Sequence, residues 1–465
     1  MINTVYELIT DVMAKQYPDR VAFRYVAADG KTVVEKTYAQ YVQDIRRAVT
    51  YFKENIPDIK GKRVGIMSRN CYEYGVNSFG AILAGAVVVT INQKKTWPEL
   101  EYELGLVEPS LIVNDGIDYG CRPDIEAAYG DKLRPMDAFK DSAPAELVDC
   151  VGHDDLMVLM FTSGSSGEPK GVPLTHHNLL SNISQCSSRI TLEPQSRFLG
   201  SLPVFHCFGI TIGLWYPMIG GYDMVTYPSP LEAKRLGALI KQYGISLVVT
   251  TPTFLRGFMK RCEPDTFKTV RYLIVGAEKL PEDLSIAFRE KFGIIPCEGY
   301  GLTEASPVCS VNFIDPAPSN AAGDFIPGMK KSSVGALLPG IAIRITSPHT
   351  GRVVPITTSG MIWLKGPNIF PGYLGGPETD RDIFVDGWLK TGDIGNMQSN
   401  GNVTITDRKK DMILVSSFNV YPNELEDVLA TLPGVLQCAA IGIPDEKSGE
   451  AIKLIVVKKD PALTE

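Results

Sequence analysis

Several large protein classes are excluded by what this sequence lacks. Its 465 residues hold only five histidines, two of them adjacent at His176-His177, so a His-rich zinc site has little to draw on. Nine cysteines, an odd number, lie far apart without a C-x-x-C pair; this argues against a disulfide framework and for reduced thiols in a cytoplasmic protein. The net charge is -7 and the lysines are scattered, which leaves no basic footprint for nucleic acid. Residues 1–20 carry Glu7, Asp11 and Lys15 inside an amphipathic pattern of Val5, Leu8, Ile9, Val12 and Met13, unlike a secretion signal. The most apolar run, residues 80–91, is rich in Gly and Ala and too short to span a bilayer; it reads as a tightly packed helix passing into a strand. No transmembrane segment is expected, while contact with a membrane surface stays open. There is no internal repeat and no low-complexity tract.

What is present is an ordinary globular composition, 44% hydrophobic and 21% charged, arranged in alternating periods. Thr37 and Gln40 form a capping box ahead of an amphipathic helix. Residues 63–68 read as a strand, 72–83 as a helix and 111–114 as a strand. The pattern recurs with a helix over 232–243, a strand over 246–251, a helix over 254–261 and a strand over 272–275. Such alternation predicts parallel sheets covered by helices, with ligands gathering beyond the carboxyl ends of the strands. From about residue 323 the chain turns to short β-type runs, 341–345, 361–364 and 402–406. A last unit follows from about residue 410, with a helix over 422–432 and strands over 439–443 and 452–457. The expected fold class is α/β. A large N-terminal domain over residues 1–409 would hold two helix-covered, mostly parallel sheets and a β-rich subdomain at about 323–406. A small, truncated α+β domain would occupy 410–465.

The densest chemical signal is Phe161-Thr162-Ser163-Gly164-Ser165-Ser166-Gly167-Glu168-Pro169-Lys170-Gly171-Val172. Glycines and short hydroxyl residues leave backbone N–H groups bare to close on a polyanion, and Lys170 adds a mobile cation. A P-loop of the NTPase type needs a hydroxyl residue directly after the lysine; Gly171 stands there instead. Glu298-Gly299-Tyr300-Gly301-Leu302-Thr303-Glu304 sets an aromatic face between glycines, with a hard carboxylate suited to Mg²⁺ at Glu304. Further landmarks are Ser201-Leu202-Pro203-Val204-Phe205-His206, Gly276-Ala277-Glu278, Trp388 to Asp393, and Asp407-Arg408-Lys409-Lys410. Each alone is an ordinary turn, core residue or charge run.

In their order and spacing these stretches resemble the acyl-adenylate-forming enzymes, the superfamily of acyl-CoA synthetases, luciferases and peptide-synthetase adenylation domains. The resemblance implies that a carboxylate attacks the α-phosphate of ATP, and that a thiol then takes the acyl group from the adenylate. It implies phosphate contacts at Ser163, Gly164, Ser165, Ser166, Gly167 and Lys170. Adenine contacts fall at Gly276, Ala277, Glu278, Glu298, Gly299, Tyr300 and Gly301, and Mg²⁺ at Glu304. Asp393 would hold the ribose, Arg408 the ribose and phosphate, and Thr162, Lys170, His206, Thr303, Glu304 and Arg408 would form the catalytic group, with His206 near the substrate carboxylate. Lys410 corresponds to the hinge of the small domain. Residues 409–424 are similar to bacterial long-chain fatty acid–CoA ligases. The middle of the chain is similar to the acyl-ACP synthetase half of acylglycerophosphoethanolamine acyltransferases.

A medium- or long-chain fatty acid is the substrate this implies. The acceptor is coenzyme A or the phosphopantetheine of an acyl carrier protein. A short or aromatic acid remains the alternative. Trp215, Tyr216, Met218, Phe254 and Phe258 are candidates for an apolar tunnel or for plain core. Two departures stand out: the family's C-terminal lysine segment lies beyond Glu465, and Ser417 stands where the fatty-acid ligases usually carry glycine. Ser417 would imply slow thiolation or a different carrier, and the missing tail leaves as the alternative from another class a nucleotide or acyl-adenylate binding protein with impaired turnover.

Overall fold

The computed structural model describes residues 4–163, 169–190, 192–312, 333–376, 383–408, 413–415, 418–420, 422–445 and 449–459. Contacts divide the chain into two compact units. The first takes residues 1–331, 338–340 and 366–380, and the second takes 332–337, 341–365 and 381–465.

In the first unit, one sheet runs in the order Leu133–Pro135, Leu111–Asn114, Arg63–Met67, Val87–Thr90, Leu156–Ser163, Pro169–Thr175. All its pairings are parallel except the last, between Leu156–Ser163 and Pro169–Thr175. A second sheet runs Val308–Val311, Cys297–Gly301, Tyr272–Val275, Leu247–Thr250, Arg197–Gly200, Asp223–Thr226, Val21–Val26, Val33–Thr37. Its inner pairings are parallel and its two ends are antiparallel. Central strands such as Val87–Thr90 and Tyr272–Val275 are buried at every position, as strands covered on both faces must be. The mostly parallel, helix-covered reading therefore holds.

Helix boundaries follow local chemistry. Thr37 and Gln40 form the expected reciprocal cap ahead of Tyr38–Asn55, and Ala233–Tyr243 and Glu282–Phe292 each stop at a left-handed glycine. The helix over Tyr72–Leu83 lies against Tyr38–Asn55 with Gly80 facing Ala48; a Cβ on Gly80 would collide with it. The N-terminal amphipathic stretch is Val5–Glu7 continued by a π-helix over Leu8–Gln16.

In the second unit, Ala342–Thr346, Gly360–Lys365, Trp388–Met397 and Phe384–Val385 form an antiparallel sheet, with Val403–Arg408 also paired to Trp388–Met397. This is the β-rich region expected from the Gly- and Pro-divided runs. A further antiparallel sheet orders Phe418–Val420, Ile413–Val415, Gly449–Lys458, Val435–Asp445. The helix Pro422–Ala430 is tied to it where Glu426 accepts from the Ala440 N–H at 2.9 Å. The last two strands are much longer than the apolar runs suggested, and they pair along Val435 to Asp445. No described helix is long and apolar enough to cross a membrane.

Candidate functional site

The strand Leu156–Ser163 ends where the glycine- and serine-rich stretch begins, and Pro169–Thr175 returns beside it. In that ladder Thr162 stands directly opposite Lys170, and Ser163 opposite Pro169. Two candidate residues eight positions apart thus become cross-strand neighbours. Gly164, Ser165, Ser166 and Gly167 lie outside the described residues, as does the side chain of Ser163.

Lys170 Nζ sits 4.9 Å from the centroid of the Tyr373 ring. The Tyr373 hydroxyl donates to Glu304 Oε1 at 2.5 Å. Glu304 is 9% exposed, in a short 3₁₀ turn over Thr303–Ala305 that closes on a left-handed Ser306. The turn is held from behind: Phe370 N–H donates to Glu304 O, Asn368 Nδ2 to Ala305 O, and Ser306 Oγ to Asn368 O. So the candidate phosphate lysine and the candidate magnesium carboxylate meet at one tyrosine. Nothing in the sequence marks Tyr373, whose two partners lie far away along the chain.

A second convergence lies at the carboxyl ends of the other sheet. Gly276 follows Tyr272–Val275, and a Cβ there would lie 3.4 Å from Gly299 O and 3.5 Å from the Phe208 ring. The 276–278 loop therefore lies close to both the His206 segment and the 298–301 strand. Ala277 holds φ 69°, a left-handed conformation uncommon for a residue with a Cβ. Glu278 accepts from the N–H and hydroxyl of Thr253 at 3.2 and 2.7 Å. Glu298 accepts from the Leu280 N–H at 3.0 Å. Burial pushes the Glu298 carboxyl up to about 7, against the opposing pull of that N–H and of Lys279. Tyr300 pairs with Ser310 across the antiparallel edge.

His206 caps the helix Cys207–Ile210: its Nδ1 accepts from the Phe208 N–H at 3.3 Å. The neutral ring therefore carries its proton on Nε2. His206 is exposed, yet the protein crowded around it lowers its pKa, which keeps the ring an uncharged donor. Buried Asn70 fixes the approach, donating to Gly200 O and Leu202 O and accepting from Val204 N–H. Beside His206, burial lifts the Cys207 thiol to about 12, and the charge of Glu304 adds to the lift. Trp215, Tyr216, Met218 and Phe258 are core: each is at most 2% exposed, with Phe258 edge-on to Phe267. Phe254 is partly exposed.

In the second unit, Asp393 is buried on Trp388–Met397 and lies in register with Arg408 on Val403–Arg408. The Asp393 N–H is anchored by Thr391 Oγ1 at 3.1 Å. Lys410 and Ser417 fall outside the described residues, as does the side chain of Arg408.

Among the described residues no group of three or more His, Cys, Asp or Glu could hold a metal ion. An ion at Glu304 would be shared with phosphate oxygens, the usual manner for Mg²⁺. A single buried carboxylate with an oriented hydroxyl partner fits that role.

The sequence profile of AMP-binding enzymes matches residues 11–374. The chain belongs to the AMP-binding enzyme family. In this AMP-binding enzyme the profile of the AMP-binding enzyme C-terminal domain matches residues 424–465. It is 30% identical to a long-chain-fatty-acid–CoA ligase of Bacillus subtilis, over 99% of this chain and 86% of the relative. It is 31% identical to 4-coumarate–CoA ligase-like 9 of Oryza sativa subsp. japonica, over 99% of this chain and 84% of the relative. Among solved structures, ATP-bound MatB from Rhodopseudomonas palustris superposes with a TM-score of 0.88 at 28% identity, covering 100% of this chain and 90% of that one.

Proposed function

We propose that this AMP-binding enzyme is an acid–thiol ligase that activates a fatty acid of medium or long chain. The observation that carries the reading is the meeting of Lys170 and Glu304 at Tyr373, directly behind the Thr162–Lys170 ladder. In the first half-reaction a carboxylate oxygen bonds to the α-phosphorus of ATP in line as the bond to the bridging oxygen breaks, releasing pyrophosphate. Charge is spread over phosphoryl oxygens, so positioning and electrostatic stabilisation do the chemistry.

Lys170 would neutralise the departing phosphates together with the bare N–H groups of residues 163–167, and Thr162 and Thr303 would supply hydroxyl donors. Glu304 would hold Mg²⁺, which supplies further neutralisation when bound. The segments around Gly276, Ala277, Glu278, Gly299, Tyr300 and Gly301 would enclose adenine, with Glu298 tying down the first of them. Asp393 would accept from the ribose hydroxyls, and Arg408 would reach ribose and phosphate. His206, neutral with its proton on Nε2, would donate to the substrate carboxylate without quenching it as an ion pair would.

In the second half-reaction a thiol sulfur attacks the acyl carbonyl and AMP leaves. Coenzyme A suits the CoA ligases that the chain resembles; a carrier-protein thiol is the finer alternative. The small domain beginning at Lys410 would turn about that residue between the steps. The cytoplasm would suit the buried thiols, such as Cys121, Cys186 and Cys207.

A second reading, an aromatic-acid ligase, is favoured by the likeness to the rice protein. Acid-dependent pyrophosphate release, with straight-chain acids of about 4 to 18 carbons and aromatic acids, tests both. Fatty acids should give the larger kcat/KM. Lys170→Ala should lower kcat/KM for ATP by roughly 10²-fold or more; an unchanged value would remove Lys170 from the site. ATP binding without release for any acid would instead favour a binding protein.

A further inference from the structure

Tyr373 is clamped from the strand that carries Lys170 and from the turn that carries Glu304. Leu374 N–H donates to Gly171 O at 2.8 Å. A Cβ on Gly171 would lie 3.0 Å from Leu374 Cβ, so the missing side chain admits this close approach. Gly372 has φ 139°, a conformation that favours glycine. On the other side, Phe370 N–H donates to Glu304 O at 2.9 Å, and the Phe370 ring packs edge-on to Tyr373 at 4.9 Å. The tyrosine therefore has a fixed orientation, with a cation over its face and a carboxylate at its hydroxyl. Among the described residues Lys170 makes no ion pair.

We propose that Tyr373 is a positioning residue of the nucleotide site, orienting the Glu304 carboxylate for a divalent cation and keeping Lys170 and Glu304 from collapsing into a direct ion pair. The inference rests on the ligase reading, since it assigns Glu304 to the cation and Lys170 to the polyphosphate. The hydroxyl bond to Oε1 fixes the plane of the carboxylate, as partners of metal-binding carboxylates generally do. The ring separates two opposite charges that would otherwise attract one another and meet the nucleotide already neutralised. A cation over a ring face is weakly held compared with one beside phosphate, so the ring yields Lys170 when polyphosphate arrives.

The two functions separate in two variants of the full chain. Mn²⁺ is titrated in the presence of α,β-methylene-ATP, which cannot release pyrophosphate, and free Mn²⁺ is read by electron paramagnetic resonance. Binding of the same nucleotide in EDTA is measured alongside, with the thermal midpoint as a check on folding. Tyr373→Phe keeps the ring and loses the hydroxyl: Mn²⁺ affinity should fall about 10-fold or more, with metal-free nucleotide affinity and thermal midpoint unchanged. Tyr373→Ala should weaken both, because Lys170 and Glu304 then pair. Parent-like Mn²⁺ affinity in Tyr373→Phe overturns the proposal, as does metal-free affinity unchanged in Tyr373→Ala. Parent protein that takes up neither Mn²⁺ nor nucleotide would instead bring down the ligase reading itself, which separates the two failures.

Discussion

Gly301→Ala probes the hairpin that sets Tyr300 and Glu304. A Cβ on Gly301 would fall closer to Pro307 O than real contacts allow, 2.9 Å from the Pro307 carbonyl carbon and 3.2 Å from Val308 Cα. These are backbone atoms, so no rotamer change relieves the clash. The hairpin cannot simply open, because Leu302 N–H donates to Pro307 O at 3.0 Å, and Asn182 both donates to Val308 O and accepts from Val308 N–H. Loss of two of these bonds costs about 1 kcal/mol each, and residual overpacking adds roughly 1–3 kcal/mol, so the sum is about 3–5 kcal/mol. Gly105→Ala is the control: it lies in the helix Trp97–Val107 with nothing within 4 Å of a new Cβ, and should stabilise by about 1 kcal/mol. Urea unfolding read by circular dichroism measures both. A Gly301→Ala midpoint equivalent to less than about 1 kcal/mol of loss would refute the claim that this turn closes on the glycine.

Three further outcomes follow from the same geometry. The folded Glu298 carboxyl titrates at about 7 against an ordinary 4.5, so the folded state holds the extra proton; stability present below the lower value is lost as pH rises through the higher, by up to ~3 kcal/mol. Glu298→Gln should flatten that slope, and parallel thermal midpoints for both proteins from pH 5 to 8 would contradict it. His176, fully buried and accepting from Val5 N–H, titrates at about 4 against an ordinary 6.5. The folded state therefore binds fewer protons and loses stability as pH falls from 6.5 toward 4; His176→Phe should show a shallower acid limb, and an equally steep one would count against the assignment. Ala277→Gly should leave stability unchanged or raise it by up to ~1 kcal/mol by relieving the left-handed strain, while raising KM for ATP as the loop loses its set. A loss of 1 kcal/mol or more in urea unfolding would mean that the strain is absent.

Much of the first unit was legible because its signals are local. The strands over Leu111–Asn114 and Tyr272–Val275 and the helix over Tyr72–Leu83 fall where the periodicity predicts, since buried parallel strands leave continuous apolar runs and capped helices carry marked ends. The strand Pro169–Thr175 was not seen: its Pro, Lys and Gly give no strand period, and only pairing with Leu156–Ser163 makes it one. The terminal strands Val435–Asp445 and Gly449–Lys458 were read short for a related reason. Their outer residues are polar or exposed, so hydrogen bonding rather than burial extends them. Tyr373 was illegible because its partners lie 203 and 69 positions away.

The strand pairing on either side of residues 164–168 also decides where charge neutralisation must come from. The chain enters that segment from one strand and leaves it into another, and the next helix begins only at His176. Among the described residues flanking that segment, no helix start lends the oriented peptide dipoles that hold bound anions in other nucleotide folds. Neutralisation of the triphosphate would then lean on discrete cations such as Lys170 beside the bare N–H groups of residues 163–167, and nucleotide affinity should drop more steeply with ionic strength than in proteins whose phosphate loops open directly into a helix.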